Sequence, residues 1–502
     1  MTIQNGLRQC GMLISPARRG KPAGATRCAA PGHRQTDGGA MDDAWVDEVL
    51  LAGPAADPVL HLDRALTRGE LRAEVAERAR RLAASGLAPG GTVLLRLPAS
   101  VAYIASLLAA WRLGAQVSVL DHRLTEHEVA AAVERVDPQL VVSPSGPVGG
   151  ALRGFHDVTE VHTVRSGRSA ESPHALIQLS SGSTGPSKVV GRTAAELVAE
   201  VRRYAGIDGM PVRGQRVLAL NSLVHAWGLV GALLHGLHAG VVVQLPERTT
   251  ADRILHAIAS SPEPVTVLAV PFHAELLAAV AEPPPLPSLV RVVSAGDLLR
   301  PGVAEAFTAR YGVPLGEVYG MTETGVIAAD LSGLHRPAAG TAAPGIELRV
   351  DDGELLVARA TSPYLGPTDP RRWSRGWLRT RDAATVDPAT GLVTILGRLD
   401  SQVAVGGSKV DLTEVEHTIA AIPGVTEAVV AFDGVIEAYV ALDGTSADVV
   451  TAELAVRLAP FKRPRRLHVL AQLPRTATGK PIRDRSALRA AALASTSTTP
   501  AT

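Results

Sequence analysis

In the run Leu179-Ser-Ser-Gly-Ser-Thr-Gly-Pro-Ser-Lys188, small hydroxyl residues and two glycines follow the apolar stretch Ala175–Leu179. Gly182 and Gly185 let backbone N–H groups turn inward around an anion, and the hydroxyls of Ser180, Ser181, Ser183 and Thr184 add donors. Lys188 adds positive charge. Such a loop suits a polyphosphate, although by itself a Ser/Gly/Thr run also suits a plain flexible connection. Its spacing is not the G-x-x-x-x-G-K-[ST] of a P-loop, and it lacks the G-x-S-x-G of a hydrolase elbow. In Glu317-Val-Tyr-Gly-Met-Thr-Glu-Thr-Gly325, Tyr319 offers a flat face to a base, Thr322 a hydroxyl to a phosphate, and Glu323 a hard oxygen ligand for Mg2+. Farther on come Trp377-Leu-Arg-Thr-Arg-Asp382, Gly397-Arg-Leu-Asp400, the pair Gly406-Gly407 and Pro474-Arg-Thr-Ala-Thr-Gly-Lys480. Only five lysines stand beside 45 arginines, so a lysine kept at 188 or 480 points to a need for lysine itself.

The elements that must position these groups alternate. Leu71–Ala84 carries Leu71, Val75, Ala79 and Leu82 on one helical face. Strands are predicted at Thr92–Leu97, Val117–Leu120, Leu140–Val142, Thr266–Val270 and Val290–Val293. Helices are predicted at Val101–Leu113, Thr125–Val136, Ala274–Ala281 and Pro301–Tyr311. Repeated strand–helix–strand units imply parallel sheets with helices on both faces. Gly345–Val357 and Ala384–Leu396 instead read as short alternating strands of a small antiparallel, barrel-like part. After Leu399-Asp400-Ser401 the pattern changes to a compact α+β unit. It comprises a helix Leu412–Ile422, a hairpin of Val425–Phe432 with Ile436–Leu442, a helix Asp448–Leu458, a strand Arg466–Leu470 and a last short helix. The expected division is a tail or upstream start over 1–40, a large N-terminal domain 41–399, a mobile C-terminal domain 400–490 and a tail 491–502.

In this order and spacing the segments resemble the adenylate-forming superfamily: acyl- and aryl-CoA ligases, adenylation domains of peptide synthetases, and luciferases. The resemblance spans roughly residues 45–490. It implies an N-terminal AMP-binding domain, a mobile C-terminal domain, and ATP and Mg2+ at the site. The loop Ser180–Lys188 would hold the β- and γ-phosphates. Tyr319 would stack on adenine, Thr322 touch the α-phosphate and Glu323 bind the metal. Asp382 would accept both ribose hydroxyls, and Arg398 would lie near the ribose and phosphate. Asp400 would be the hinge, and Lys480 would contact the carboxylate and α-phosphate. Ser294-Ala295-Gly296-Asp297 would border the adenine and acyl pocket, with Gly296 and Asp297 on the nucleotide side. Gly320 and Met321 would join Ser294 and Ala295 in the acyl pocket. Gly406 and Gly407 would open the thiol channel. Three departures are visible: Arg381 stands where glycine is common before the aspartate, Val189 where glycine often follows the loop lysine, and Ala404–Val405 where a base is common.

Asn221-Ser-Leu-Val-His-Ala-Trp-Gly228 is similar to the P-x-x-H-x-x-G stretch of acyl- and aryl-CoA ligases, with its proline unmatched. No acid lies between Arg216 and Glu247, so an α-amino acid, whose buried ammonium would need a partner, is disfavoured. His225 and Trp227 are candidate pocket walls or core residues. The expected reaction is ATP-dependent activation of a small carboxylic acid as acyl-adenylate, with pyrophosphate release and transfer to CoA. The alternatives are a stand-alone ligase loading a carrier-protein phosphopantetheine in secondary metabolism, and a non-catalytic binding relative.

Composition excludes other classes. Lys plus Arg is 50 against Asp plus Glu at 49, so nothing favours nucleic acid or an anionic membrane as partner. The two cysteines, Cys10 and Cys28, cannot build a disulfide framework or zinc site in the body of the chain, which fits a reducing cytoplasm. Val217–Pro246 holds no Asp, Glu, Lys or Arg, yet its three histidines and four glycines break it into pieces. It reads as two buried strands flanking a helix, not as a membrane span.

Overall fold

The computed structural model describes residues 44–496, apart from 125, 150–152, 181–187, 301, 367–369, 400–401, 406–407, 459–461 and 477–479. The predicted N-terminal tail, Asp400 and the Gly406-Gly407 pair therefore lie outside the described residues. Two large sheets carry the N-terminal domain. One runs Thr341–Ala342, Gly325–Asp330, Leu315–Met321, Leu289–Ala295, Val265–Ala269, Arg216–Ala219, Val242–Gln244, Pro58–His61, Ala65–Thr67. Its six middle strands are parallel, as the strand–helix alternation predicts, while both edges turn antiparallel. Leu60 pairs with Val243 in this sheet. The second sheet runs Tyr364–Leu365, Lys188–Thr193, His174–Ser180, Gln116–Val119, Thr92–Leu95, Leu140–Pro144, Glu160–Val164.

Helix Val101–Arg112 starts at Ser100, whose hydroxyl accepts the Tyr103 N–H, and every residue from Ala102 to Trp111 is buried. A helix apolar on all sides has no solvent face to offer, so it packs in the main hydrophobic cluster with Leu95, Val117 and Leu229. The charge-free run follows the same rule. Arg216–Ala219 and Val242–Gln244 are buried strands, and the helix between them is buried almost throughout. Its first part, Trp227–Leu234, winds in wide π turns before His235–Ala239 tightens to α, a local departure that apolar periodicity does not encode. Among the described residues no helix is long and apolar enough to cross a membrane.

The predicted antiparallel part is a five-stranded sheet of Leu348–Asp351, Glu354–Ala358, Trp377–Val386, Val393–Arg398 and Trp373–Ser374. The small C-terminal domain holds helix Leu412–Ala420 and the antiparallel strands Val425–Phe432 and Ile436–Leu442, as predicted. Helix Ala447–Arg457, strand Arg466–Leu470 and helix Arg485–Thr496 complete it, and the last helix continues past 490 into the stretch expected to be a tail. Gln402–Val405 and Ser408–Asp411 add a small hairpin that the sequence reading did not foresee.

Glu437 fastens the last helix to this sheet. Its carboxylate accepts from Arg489 at 2.8 Å, Tyr439 at 2.8 Å and Arg466 at 2.8 Å. The Arg489 hydrogen bond leads in holding the Glu437 carboxyl down to about 2 from its ordinary 4.5, with burial opposing. A depressed folded-state value stabilises the fold above pH 4.5, and that support is lost as pH falls from 4.5 toward 2. Arg466 and Arg489 are part-exposed, so solvent screening leaves about 1–2 kcal/mol of the effect. Helix Arg485–Thr496 should therefore lose amide protection selectively between pH 4.5 and 3, and Glu437→Gln should remove that pH step. An unchanged exchange profile in the variant would refute the assignment.

Candidate active site

Lys188 opens the strand Lys188–Thr193 directly opposite Ser180, the last residue of His174–Ser180. The hairpin thus delivers the loop lysine to the end of the sheet. Ser181, Gly182, Ser183, Thr184 and Gly185 lie outside the described residues, as does the Ser180 side chain. The Lys188 Nζ stands 5.9 Å above the Tyr364 ring. Val189, where a glycine was expected, pairs across the sheet with Leu179 and Leu365.

Strands Leu315–Met321 and Gly325–Asp330 pair in antiparallel fashion, and the turn between them carries Thr322, half-buried, and Glu323, buried. Glu323 Oε1 accepts the Tyr364 hydroxyl at 2.9 Å and lies 3.7 Å from Arg372 Nη2. Arg372 also donates to the Tyr364 hydroxyl, at 3.1 Å. Sequence reading missed both residues, since nothing local marks a side chain 41 or 49 positions away as a partner of this turn. Beneath it, Glu200 is fully buried, takes the Val326 N–H at 3.2 Å and pairs with Arg192 at 2.7 Å. Gly325 has φ +75°, and a Cβ there would run into the Glu200 carboxylate. Only glycine permits this approach.

Tyr319, Asp382 and Arg398 come together. The Tyr319 hydroxyl donates to Asp382 Oδ2, and Arg398 Nη1 lies 3.2 Å from Oδ1. Burial, aided by the Asp382 charge, pushes the Tyr319 phenol well above its ordinary value, so it remains a donor. Arg381 resolves the first departure: it adopts φ +65°, the left-handed conformation that glycine takes freely, while its N–H donates to Glu354 Oε1 at 2.9 Å. A glycine-like backbone conformation is thus adopted here by a strained residue. Arg381→Gly should change stability by less than about 1 kcal/mol, because relief of roughly 1–2 kcal/mol of strain is offset by about 0.5–1 kcal/mol of unfolded-chain freedom. Arg381→Val, stiffer at Cβ, should cost about 1–3 kcal/mol and weaken ATP binding through Asp382. Urea unfolding and nucleotide titration of both variants check this, and equal behaviour would refute it.

Lys480 crosses from the C-terminal domain to the N-terminal one: its Nζ donates to the Gly296 carbonyl at 3.0 Å. Lys480 is tied to Thr476, whose N–H donates to Lys480 O at 2.8 Å while the Lys480 N–H donates to Thr476 Oγ1 at 3.2 Å. Asp297 beside Gly296 is exposed. His225 is exposed at the surface yet closely surrounded by protein atoms. Burial, then the nearby Lys480 charge, lower its pKa to about 4, so it is neutral near pH 7.

The other acyl-pocket candidates separate. Trp227 belongs to the core, its indole N–H tied to the Ala269 carbonyl at 3.0 Å, and Ala295 packs in the same cluster. Ser294 precedes Ala295 on one strand, so its side chain points to the other face; it is 2% exposed, with its Oγ unpartnered among the described residues. Met321 packs with Val190, Tyr364 and Leu378, and Gly320 is exposed at a strand irregularity.

The residues fit Mg2+. Among the described residues no cluster of three or more His, Cys, Asp or Glu is poised to cage an ion, and Glu323 supplies a single buried carboxylate. Mg2+ takes one or two carboxylates and completes its shell with phosphate oxygens and water.

Residues 48–361 match the AMP-binding enzyme family, and residues 414–480 match the AMP-binding enzyme C-terminal domain. The chain is 26% identical to a 3-hydroxybenzoate–CoA/4-hydroxybenzoate–CoA ligase of Thauera aromatica, over 84% of this chain and 91% of that protein. It is 28% identical to the p-hydroxybenzoic acid–AMP ligase of Mycobacterium tuberculosis, covering 85% of this chain but only 65% of that longer protein. Among solved structures, an anthranilate CoA ligase in complex with anthranoyl-AMP superposes with a TM-score of 0.75 at 23% identity, over 91% of this chain and 98% of that one. With the family match spanning more than half of its length, the chain belongs to the AMP-binding, adenylate-forming enzymes.

Proposed function

We propose that this enzyme activates an aromatic carboxylic acid with ATP, releasing pyrophosphate, and then passes the acyl group to the thiol of CoA. The observation that carries this reading is the Lys480 ammonium, brought across to Gly296 from the other domain. The hydroxybenzoates in the names of the Thauera and Mycobacterium relatives support an aromatic acid.

In this reading the loop 180–188 and Lys188 hold the β- and γ-phosphates, Tyr319 stacks on the adenine, and Thr322 donates to the α-phosphate. Asp382 takes the ribose hydroxyls, which share a carboxylate offering about four acceptor sites with Tyr319 and Arg398. Glu323 would hold Mg2+, which when bound neutralises phosphate charge. A carboxylate oxygen of the acid bonds to the α-phosphorus, the bond to the bridging oxygen breaks, and pyrophosphate leaves with the electron pair. Lys480 offsets the repulsion between the two anions. In the second step the thiol loses its proton to solvent, its sulfur bonds to the acyl carbon, and AMP departs. Rotation of the domain after 399 about Asp400 would withdraw Lys480 and present Gly406 and Gly407 to the pantetheine arm. A supply of ATP and CoA places this work in the cytoplasm.

A second reading, transfer to a carrier-protein phosphopantetheine in secondary metabolism, is favoured by the AMP-ligase relative and by the absence of a base at Ala404–Val405. Incubation with ATP, a panel of aromatic acids and either CoA or a holo-carrier, read by mass spectrometry, separates the two. Thioester on CoA supports the first reading and thioester on the carrier alone the second. Nucleotide binding without ATP–pyrophosphate exchange for any acid would overturn both.

A further inference from the structure

Asn221 is 9% exposed, and neither Nδ2 nor Oδ1 has a hydrogen-bond partner among the described residues. Flipping the amide exchanges the two atoms and satisfies neither. Folded proteins leave few buried polar groups in that condition, and a missing ligand or water is a common reason. A second free valence borders the same segment: Gln178 donates from Nε2 to the Val224 carbonyl at 2.7 Å, while its buried Oε1 has no partner among the described residues. The segment cannot easily swing Asn221 out to water. The Tyr103 hydroxyl holds the Leu223 carbonyl at 2.9 Å, and Gly228 packs so closely that a Cβ there would strike the Ser222 carbonyl.

The position is informative. Ala219 pairs with Leu268, and Ala269 pairs with Ser294. Asn221, Val270 and Ala295 therefore stand side by side at the carboxyl ends of three adjacent parallel strands, where ligands of such sheets bind. Gly296, holding Lys480, follows Ala295. From Gly296 to Asn221 is two strand spacings, about 10 Å. That distance would suit a single aromatic ring, with its carboxylate at Lys480 and a substituent at Asn221. The charges felt by His225 are Lys480 and the Asp121–Arg123 pair, which is closed on itself by bonds of 2.9 and 2.6 Å. The Asn221 amide, with one donor and one acceptor unpartnered among the described residues, would match a neutral group that both donates and accepts.

Resting on the aromatic-acid reading above, we propose that Asn221 binds a ring hydroxyl of the substrate, remote from the carboxylate, and so sets specificity for a hydroxylated aromatic acid. The test measures ATP–pyrophosphate exchange with benzoate, 3-hydroxybenzoate and 4-hydroxybenzoate for the wild type, Asn221→Leu and Asn221→Ser. Melting temperature and ATP binding report whether each variant is folded. The wild type should favour one hydroxybenzoate over benzoate by about 100-fold or more in kcat/KM, because benzoate leaves the amide unpaired. Asn221→Leu should shrink that ratio at least about tenfold, mainly by losing the hydroxybenzoate, with ATP affinity unchanged. Asn221→Ser, still able to hydrogen-bond, should fall between. A ratio unchanged in folded variants, or a wild-type preference for benzoate, overturns the role of Asn221 and leaves the aromatic-acid reading standing. Activation of aliphatic acids only would overturn that reading and this inference together.

Discussion

Lys480→Ala should slow ATP–pyrophosphate exchange by about 10²- to 10³-fold, the usual loss when one preorganised charge contact is removed. The fold should be untouched, since Lys480 is exposed and its bonds to Thr476 run through its backbone rather than its side chain. Thioester formation from preformed acyl-adenylate should survive largely intact, because the second step needs no cation between two anions. Lys480→Arg should not restore the first step. A planar guanidinium with its charge spread over three nitrogens cannot place a compact charge where the ammonium sits beside Gly296. Exchange assays and single-turnover thioester assays read the two steps separately. Near-normal exchange in the alanine variant would remove Lys480 from the chemistry.

Glu200→Ala should lower stability by about 3–5 kcal/mol, the range for breaking a buried ion pair and stranding one charge. Arg192 is 2% exposed, and its Nε and Nη1 already lack partners among the described residues. Glu196, at 4.0 Å from Arg192 and engaged with Arg359 at 2.6 Å, is a poor substitute. The loss also frees the Val326 N–H, two residues after the turn that presents Glu323 and Thr322. Activity should therefore fall in whatever fraction remains folded. Glu200→Gln keeps the acceptor for Val326 and should lose less. Urea unfolding midpoints at constant slope measure the difference, and equal losses for alanine and glutamine would assign the whole effect to the lost charge and leave the Val326 contact no share.

The order of Lys188, Tyr319–Glu323, Asp382, Arg398 and Lys480 along the chain was legible because each rests in a short local motif. The hairpin of Val425–Phe432 with Ile436–Leu442 was legible because strand alternation and turn residues are local as well. Tyr364 and Arg372 on Glu323, and Arg192 on Glu200, were not. They join segments whose meeting depends on which strand lies beside which, and periodicity carries no such information. Trp227 shows the same limit at one residue: its spacing suits a pocket wall or the core, and the indole bond to Ala269 puts it in the core. At Arg381 the sequence shows a residue other than the common glycine, and the backbone there adopts the left-handed conformation that glycine takes freely.

The pairing of Leu60 with Val243 sets a timetable for synthesis. Strand Pro58–His61 leaves the ribosome early, while the strand it must join is not yet translated. At ~5–20 residues per second the wait is on the order of 10–40 s. Its other neighbour, Ala65–Thr67, is short and gives it only a marginal two-stranded ribbon in the meantime. Throughout that interval Val59 and Leu60, later buried in the core, have only that short strand of their own sheet beside them. Nascent chains stopped between these two strands should therefore be held by chaperones, and chains released past Gln244 should not. Slow codons placed ahead of Val242 would lengthen that exposure and lower the soluble yield without changing a single residue.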